Sequence, residues 1–342
     1  MKRVLIGMSG GVDSAVAAYI LKEEGYEVIG VTMTLFTPKE PTTQIEDAKK
    51  ICQKLGIDHY VVDYQKEFKN KIIDNFIENY LNGKTPNPCV ECNKHFKFGL
   101  LWKKAQELNC EYIATGHYAD MQDGNILKVD SPKDQSYFLY QIDKKIIPHI
   151  LFPLSKYMNK EEIREIAKRE NLVEVSEKKD SQDICFIENG DYTKFLEENL
   201  DKLPPHGDFI LTTGEKIGEH KGIIYYTIGQ RKGLGISYKH PLYVIKIDKD
   251  NNQIILGTEE DLYTNIVYIT NTNILVDKIP ENISGKIRYK SQLVPCTIEI
   301  IDENNIKVVF KEPVKSATKG QSLVLYNQNI LLGGGIIDKV EI

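Results

Sequence analysis

Arg3-Val4-Leu5-Ile6-Gly7-Met8-Ser9-Gly10-Gly11-Val12-Asp13-Ser14 decides the reading of this 342-residue chain. Residues 3–8 are apolar and β-prone, and Ala15 to Leu21 continue as a helix that stops near Gly25. The stretch between them is a strand-to-helix loop. Its glycines at 10 and 11 let the backbone bend tightly and turn N–H groups toward an anion. Ser9 and Ser14 add hydroxyls, and a helix starting near Asp13 aims the positive end of its dipole at the same point. The pattern predicts a phosphate cradle. It lacks Gly-Lys-Ser/Thr, so it is not a Walker A loop, and its spacing does not match Gly-x-Gly-x-x-Gly. An ordinary tight turn is the plainer alternative. Ser-Gly-Gly-x-Asp-Ser directly after a first strand is far more specific than a lone Gly pair.

Outward from the loop, strand and helix signals alternate. Residues 27–33 read as a second strand. Ile45, Ala48, Ile51, Cys52 and Leu55 recur at helical spacing up to Gly56. Residues 59–63 and 111–116 read as third and fourth strands. This order predicts an α/β domain with a parallel sheet covered by helices on both faces and ligands at the carboxyl ends of the strands. After about residue 200 the character changes. Leu203-Pro204-Pro205-His206-Gly207 reads as a linker. Short β-prone runs follow at 223–228, 242–247, 253–257, 266–275, 284–291, 295–301, 306–310 and 322–326, which predicts two small β-rich domains. Val294, Cys296, Ile298 and Ile300 alternate with polar residues, as a half-buried strand does. The expected division is 1–202, 203–263 and 264–342.

Composition bounds the rest. Hydrophobic residues make up 41% and charged residues 27%, ordinary for a globular chain. No apolar run approaches a bilayer span, and the start reads as a strand rather than a signal peptide. A cytoplasmic protein without membrane contact is expected. The net charge of −5 argues mildly against nucleic acid. Binding phosphates needs only local charge, however, and Lys84, Lys94, Lys97, Lys103 and Lys104 stand against Glu91 alone in that stretch, which reads equally as a basic face or as a solvated helix surface.

Six cysteines in a reducing compartment are thiols, ligands or catalysts rather than a disulfide frame. Cys52 and Cys296 fall on apolar faces and Cys110 just before a strand, so all three read as core. Cys89 and Cys92 sit in Thr85-Pro86-Asn87-Pro88-Cys89-Val90-Glu91-Cys92-Asn93-Lys94, a proline-stiffened loop where a helix starting near Cys92 would favour a thiolate. Cys185 follows the polar stretch Asp180-Ser181-Gln182-Asp183. A Cys-x-x-Cys pair does not by itself separate metal binding from redox chemistry.

The opening loop resembles that of the ATP pyrophosphatases, which implies cleavage of ATP to AMP and pyrophosphate, with Asp13 helping to hold Mg2+. Taken together, Gly7 to Ser14, Asn87 to Lys94, Thr115-Gly116-His117-Tyr118-Ala119, Lys133 to Tyr137, Cys185-Phe186-Ile187, Tyr226 to Gly235 and Ile287-Arg288-Tyr289 resemble the bacterial tRNA-specific 2-thiouridylases nearly end to end. The resemblance implies ATP-dependent replacement of the C2 oxygen of the wobble uridine by sulfur, in tRNAs for Lys, Glu and Gln. It implies ATP contacts from Gly7, Met8, Ser9, Gly10, Gly11, Val12, Asp13, Ser14, Met33 and Gly116. It implies tRNA contacts from Asn87, Pro88, Cys89, His117, Lys133, Asp134, Gln135, Arg288, Tyr289 and Gln321. Cys92 would be the nucleophile and Cys185 the persulfide carrier, loaded by a cysteine desulfurase or a sulfur-relay protein.

One departure from the family stands out, because many members carry Asp where this chain has Cys89. Cys89, Cys92 and Cys185 would suffice to hold three irons of a 4Fe–4S cluster. The persulfide route, with Cys89 as bystander or resolving thiol, is equally open. A zinc site with His95 as fourth ligand is a third option. Two other classes remain: an amide- or amidine-forming synthetase of the same superfamily, which needs neither Cys92 nor Cys185, and a tRNA-binding module with a relic nucleotide site.

Overall fold

In the computed structural model, which describes residues 1–38, 43–157, 159–172 and 184–341, the opening stretch becomes β1 (Arg3–Gly7) followed by α1 (Val12–Glu23). Then come β2 (Glu27–Thr34), α2 (Gln44–Leu55), β3 (Asp58–Asp63), β4 (Tyr112–Ala114), the hairpin β5 (Asp120–Gln122) and β6 (Asn125–Leu127), and β7 (Ile150–Leu151). Five strands pair in the order β3-β2-β1-β4-β7, every pair parallel. Val4, Leu5 and Ile6 are fully buried, as a continuous apolar run in a parallel sheet must be. Ala15, Val16, Ala17 and Ala18 of α1 are fully buried too; such small side chains let a helix lie close to a neighbour. The α2 positions Ala48, Ile51, Cys52 and Leu55 form the buried stripe that their spacing predicted.

The chain leaves β1 toward β2 on one side and returns to β4 on the other. A crevice opens at such a reversal, at the carboxyl ends of the strands. The loop 9–14 lies at that end of β1. The four expected strands are present. β7 escaped notice because its two residues carry no alternation. The hairpin turns on Asp123-Gly124, both at positive φ, a turn that sequence reading passed over.

Compactness divides the chain into two interleaved units. One is 1–72, 89–182 and 329–331; the other is 73–88, 183–328 and 332–342. The second contains a four-stranded sheet, ordered β10-β11-β8-β9, of β8 (Gly207–Leu211), β9 (Lys216–His220), β10 (Tyr243–Asp248) and β11 (Gln253–Gly257). It also contains a closed barrel of β12 (Tyr263–Ile274), β13 (Ile283–Lys286), β14 (Val294–Ile300), β15 (Ile306–Lys315), β16 (Ser322–Asn327) and β17 (Ile330–Glu341). Val267, Val308 and Leu323 fill the barrel at 0% exposure. Cys296 points inward as the alternation required, while Ile300 at the end of that face is 61% exposed. Residues 223–225, expected as strand, form a short 3-10 helix, and the strands 207–211, 216–220 and 330–341 were not anticipated. Among the described residues no helix is long and apolar enough to cross a membrane.

Candidate active site

The loop after β1 is knitted by its own hydroxyls. Ser14 Oγ donates to Gly11 O at 3.0 Å and accepts from Ser9 N at 3.2 Å, and the two serine hydroxyls meet at 3.1 Å. Gly10 takes φ +68, and a Cβ there would collide with the backbone of Gln44, so only glycine fits. Gly11 caps α1 and offers no side chain, which leaves first-turn N–H groups of α1 for an anion. Thr32 Oγ1 donates to Met8 O at 2.8 Å and joins the end of β1 to β2, where partly exposed Met33 follows. Gly116 lies against Asp13 and Ser14. These residues fit a polyphosphate.

Asp13 is the loop's carboxylate, and it is held on both oxygens. Tyr118 donates its hydroxyl to Oδ1 at 2.9 Å, and Lys160 Nζ lies 3.1 Å from Oδ2. Tyr118 is itself braced by Gln135, whose Oε1 accepts from Tyr118 N at 3.0 Å and whose N donates to Tyr118 O at 2.8 Å. Lys160 is 9% exposed, an unusual state for a lysine, and sequence reading missed it. Its only sequence signal is local: Asn159 caps the helix Lys160–Arg169 by accepting from Glu162 N at 3.0 Å. A carboxylate partly exposed between a hydroxyl and an ammonium suits a metal ion beside phosphates.

The thiol segment departs from expectation. The helix starts at Pro88 rather than near Cys92, so Cys89 lies in its first turn and Cys92 at its end, where a π-helix, Asn93–Leu100, continues. Cys92 is 7% exposed. Burial pushes its thiol up to about 11, opposed by Lys97 and reinforced by Cys89. Cys89 is exposed, yet surrounding protein still raises its pKa, again opposed by Lys97. The expected helix-favoured thiolate at Cys92 is therefore corrected: desolvation outweighs the helix. His95 Nε2 lies 3.4 Å from Glu91 Oε2, and this contact holds the Glu91 carboxyl below its usual range. Among the described residues no three or more His, Cys, Asp or Glu side chains gather as a metal site would need.

His117 is buried, its Nδ1 sharing a 2.8 Å hydrogen bond with Thr115 Oγ1 and its ring 5.7 Å from that of Phe98. Burial, then Lys97, holds the imidazole neutral, well below its usual pKa. Asp134 is turned inward and organises its loop. Its carboxylate accepts from Val129 N at 3.1 Å and Ser136 Oγ at 2.9 Å, and burial raises its pKa. Lys133 lies partly exposed beside it.

Comparison with known proteins gives the family. The model described as tRNA methyl transferase HUP domain matches residues 2–189. Models described as tRNA methyl transferase PRC-barrel domain and aminomethyltransferase beta-barrel domain match 193–258 and 264–337. A tRNA-specific 2-thiouridylase of Clostridioides difficile (strain 630) is 45% identical over 99% of this chain and 98% of its own length. That of Clostridium acetobutylicum is 46% identical over 98% and 99%. The chain belongs to the tRNA-specific 2-thiouridylase family. A solved 4-thiouridine synthetase–RNA complex with bound ATP overlaps 58% of the chain and 50% of its own, at 20% identity and a TM-score of 0.41.

In the second unit of this thiouridylase-family chain, the residues expected at RNA are already engaged. Arg288 Nη2 donates to Ser316 O at 2.8 Å, Thr318 Oγ1 at 2.5 Å and Ile228 O at 3.2 Å. Lys286 Nζ stands 5.6 Å from the Tyr289 ring. Gln321 Nε2 donates to Thr85 O at 2.9 Å and lies 3.4 Å from Pro86 O, just before Asn87 and Pro88. Cys185 is exposed on a turn closed by Ile187 N to Ile184 O at 2.9 Å. Phe186 anchors that turn against Phe76 and Phe195, with ring centroids 5.5 and 5.2 Å away. Residues 180–183 of that motif lie outside the described residues. Cys52, Cys110 and Cys296 are buried, as expected.

Proposed function

We propose that this protein is a tRNA-uridine 2-sulfurtransferase. It uses ATP to adenylate the C2 oxygen of the wobble uridine in tRNAs for Lys, Glu and Gln. Pyrophosphate leaves in that step, and AMP leaves with the former C2 oxygen as sulfur takes its place. The observation that carries the reading is one unit holding both a phosphate-binding loop with a doubly held Asp13 and a buried Cys92. Whole-length relatives named 2-thiouridylases support it. Methyl transfer, the wording of the matching family model, has no use for a pyrophosphate-binding loop paired with a thiol.

In this reading residues 9–14 hold the phosphates, assisted by Gly7, Met8, Met33 and Gly116, and Asp13 helps hold Mg2+, whose charge offsets theirs. Cys92 is the nucleophile, and Cys185 carries the incoming sulfur as a persulfide. A cysteine desulfurase or a relay protein supplies it in a reducing cytoplasm. Asn87, Pro88, Cys89, His117, Lys133 to Gln135, Arg288, Tyr289 and Gln321 form the tRNA-facing set; Asp134 and Gln135 act by shaping loops. The persulfide route is preferred to a 4Fe–4S cluster because it asks for no ligand beyond the two thiols already given roles.

The test incubates the protein with ATP, unmodified tRNA and a persulfide donor, reading pyrophosphate release and the mass of the wobble nucleoside. Exchange of one oxygen for one sulfur is expected. A synthetase of the same superfamily would keep full activity after Cys92→Ser, and that result sinks the reading. Anaerobic purification with iron and sulfide analysis should give an iron-free protein that still thiolates; activity that follows bound iron would restore the cluster.

A further inference from the structure

The turn at Thr318–Gln321 in the barrel grips the chain just ahead of the thiol helix. Lys319 O accepts from Thr85 N at 2.8 Å, and the Gln321 carboxamide donates to Thr85 O at 2.9 Å. Gly320 lies between them at φ +89, and a Cβ there would come within 3.0 Å of Thr85 N and O. The grip is fixed to β17, since Ile337 N donates to Gln321 O at 2.8 Å and Gly320 N to Ile337 O at 2.9 Å. Thr318 Oγ1, in turn, accepts from Arg288. A glutamine placed only to meet RNA would keep its carboxamide in solvent. This one is committed to backbone carbonyls, a use that requires its N–H donors rather than its bulk.

We propose that Gln321 is a positioning residue for the thiol segment: by holding Thr85 and Pro86 it sets where Asn87 lies and where the helix Pro88–Cys92 begins. The inference rests on the sulfurtransferase reading for its purpose and on geometry alone for its substance. It assigns Gln321 a role in the absence of RNA. When RNA competes for the same carboxamide, the segment is released from the barrel turn, so recognition and thiol exposure become one equilibrium.

The experiment uses the full chain under anaerobic conditions. Alkylation of Cys89 and Cys92 by iodoacetamide is followed by peptide mass without tRNA, and thiolation is measured as kcat and KM for tRNA. Gln321→Glu keeps the size but loses the donors, and Gln321→Ala loses both. Both should change the RNA-free alkylation rate by about twofold to tenfold, the range one hydrogen bond allows, and lower kcat at saturating tRNA. Gly320→Ala, which displaces Thr85 while leaving the carboxamide in place, should give the same alkylation change and decides the matter should the Gln321 variants fail to fold. A raised KM with unchanged alkylation in all three overturns the proposal. Altered alkylation in a protein that never thiolates tRNA would instead overturn the sulfurtransferase reading and leave the positioning role standing.

Discussion

The serines of the 9–14 loop bond to each other and to its backbone, and its carboxylate is held by Tyr118 and Lys160. Cys92 is instead surrounded by protein that pushes its thiol up to about 11. One end is arranged to receive charge at once; the other is kept neutral. At pH 7 a thiol titrating near 11 is ionised on the order of one part in 10⁴. In the proposed reaction, activation of the uridine need not wait for the thiols, whereas Cys92 as nucleophile must first lose its proton. Such an order protects a reactive thiol until an acceptor is ready.

The sharpest way to break this contrast is Cys92→Ser. Thiolation should fall by at least about 10³-fold, as removal of a nucleophile does, while pyrophosphate release in a single turnover persists. Loss of both together would mean that the two ends do not act separately. Next, Asp13→Asn should lower pyrophosphate release by about 10²-fold and Lys160→Ala by about 10-fold, read in the same assay, because both disturb a preorganised charge. A Lys160→Ala protein with wild-type release would show that its buried ammonium is only structural.

Lys97 opposes deprotonation costs at both ends of the Cys-x-x-Cys. Lys97→Met should move the alkaline rise of Cys92 alkylation to higher pH by up to about one unit, a slowing of up to about tenfold at fixed pH. A rise unchanged in pH would remove Lys97 from the account. Stability should echo the same burial. Cys52, Cys92 and Cys296 are pushed up to about 12, 11 and 12. The unfolded chain then gives up these protons first, above about pH 8.5. Stability is intact below that pH and falls as pH climbs toward the folded values, visible as a lower urea midpoint at pH 10 than at 7.5. The smallest effect is expected from His95→Ala. Its half-exposed contact with Glu91 is worth under about 1 kcal/mol, and a melt should barely move.

Much of the first unit was legible because its signals are local. The run Val4-Leu5-Ile6, the glycines of the loop and the spacing of Ala48, Ile51, Cys52 and Leu55 each specify an element within a few residues. The short strand Ile150–Leu151 was not, because pairing with β4 rather than pattern makes it a strand. Ile223–Tyr225 read as strand from its apolar residues, which are buried instead in a 3-10 turn. At the site, the sequence named Asp13 but not Lys160, since the two are 147 residues apart and only folding joins them. The sequence named Cys92 too, but a helix-favoured thiolate is not what its burial gives. A helix start can be read from Pro88, whereas desolvation depends on neighbours the sequence does not name.

The interleaving of the two units sets where the chain can be cut. Phe76 and Tyr80, from the short excursion 73–88, pack on Phe186 and Tyr192 with ring centroids 5.5 and 4.7 Å apart. The second unit therefore draws part of its core from a stretch more than a hundred residues upstream. A fragment that began at residue 184 would lack Phe76 and Tyr80 and would leave the rings of Phe186 and Tyr192 short of partners.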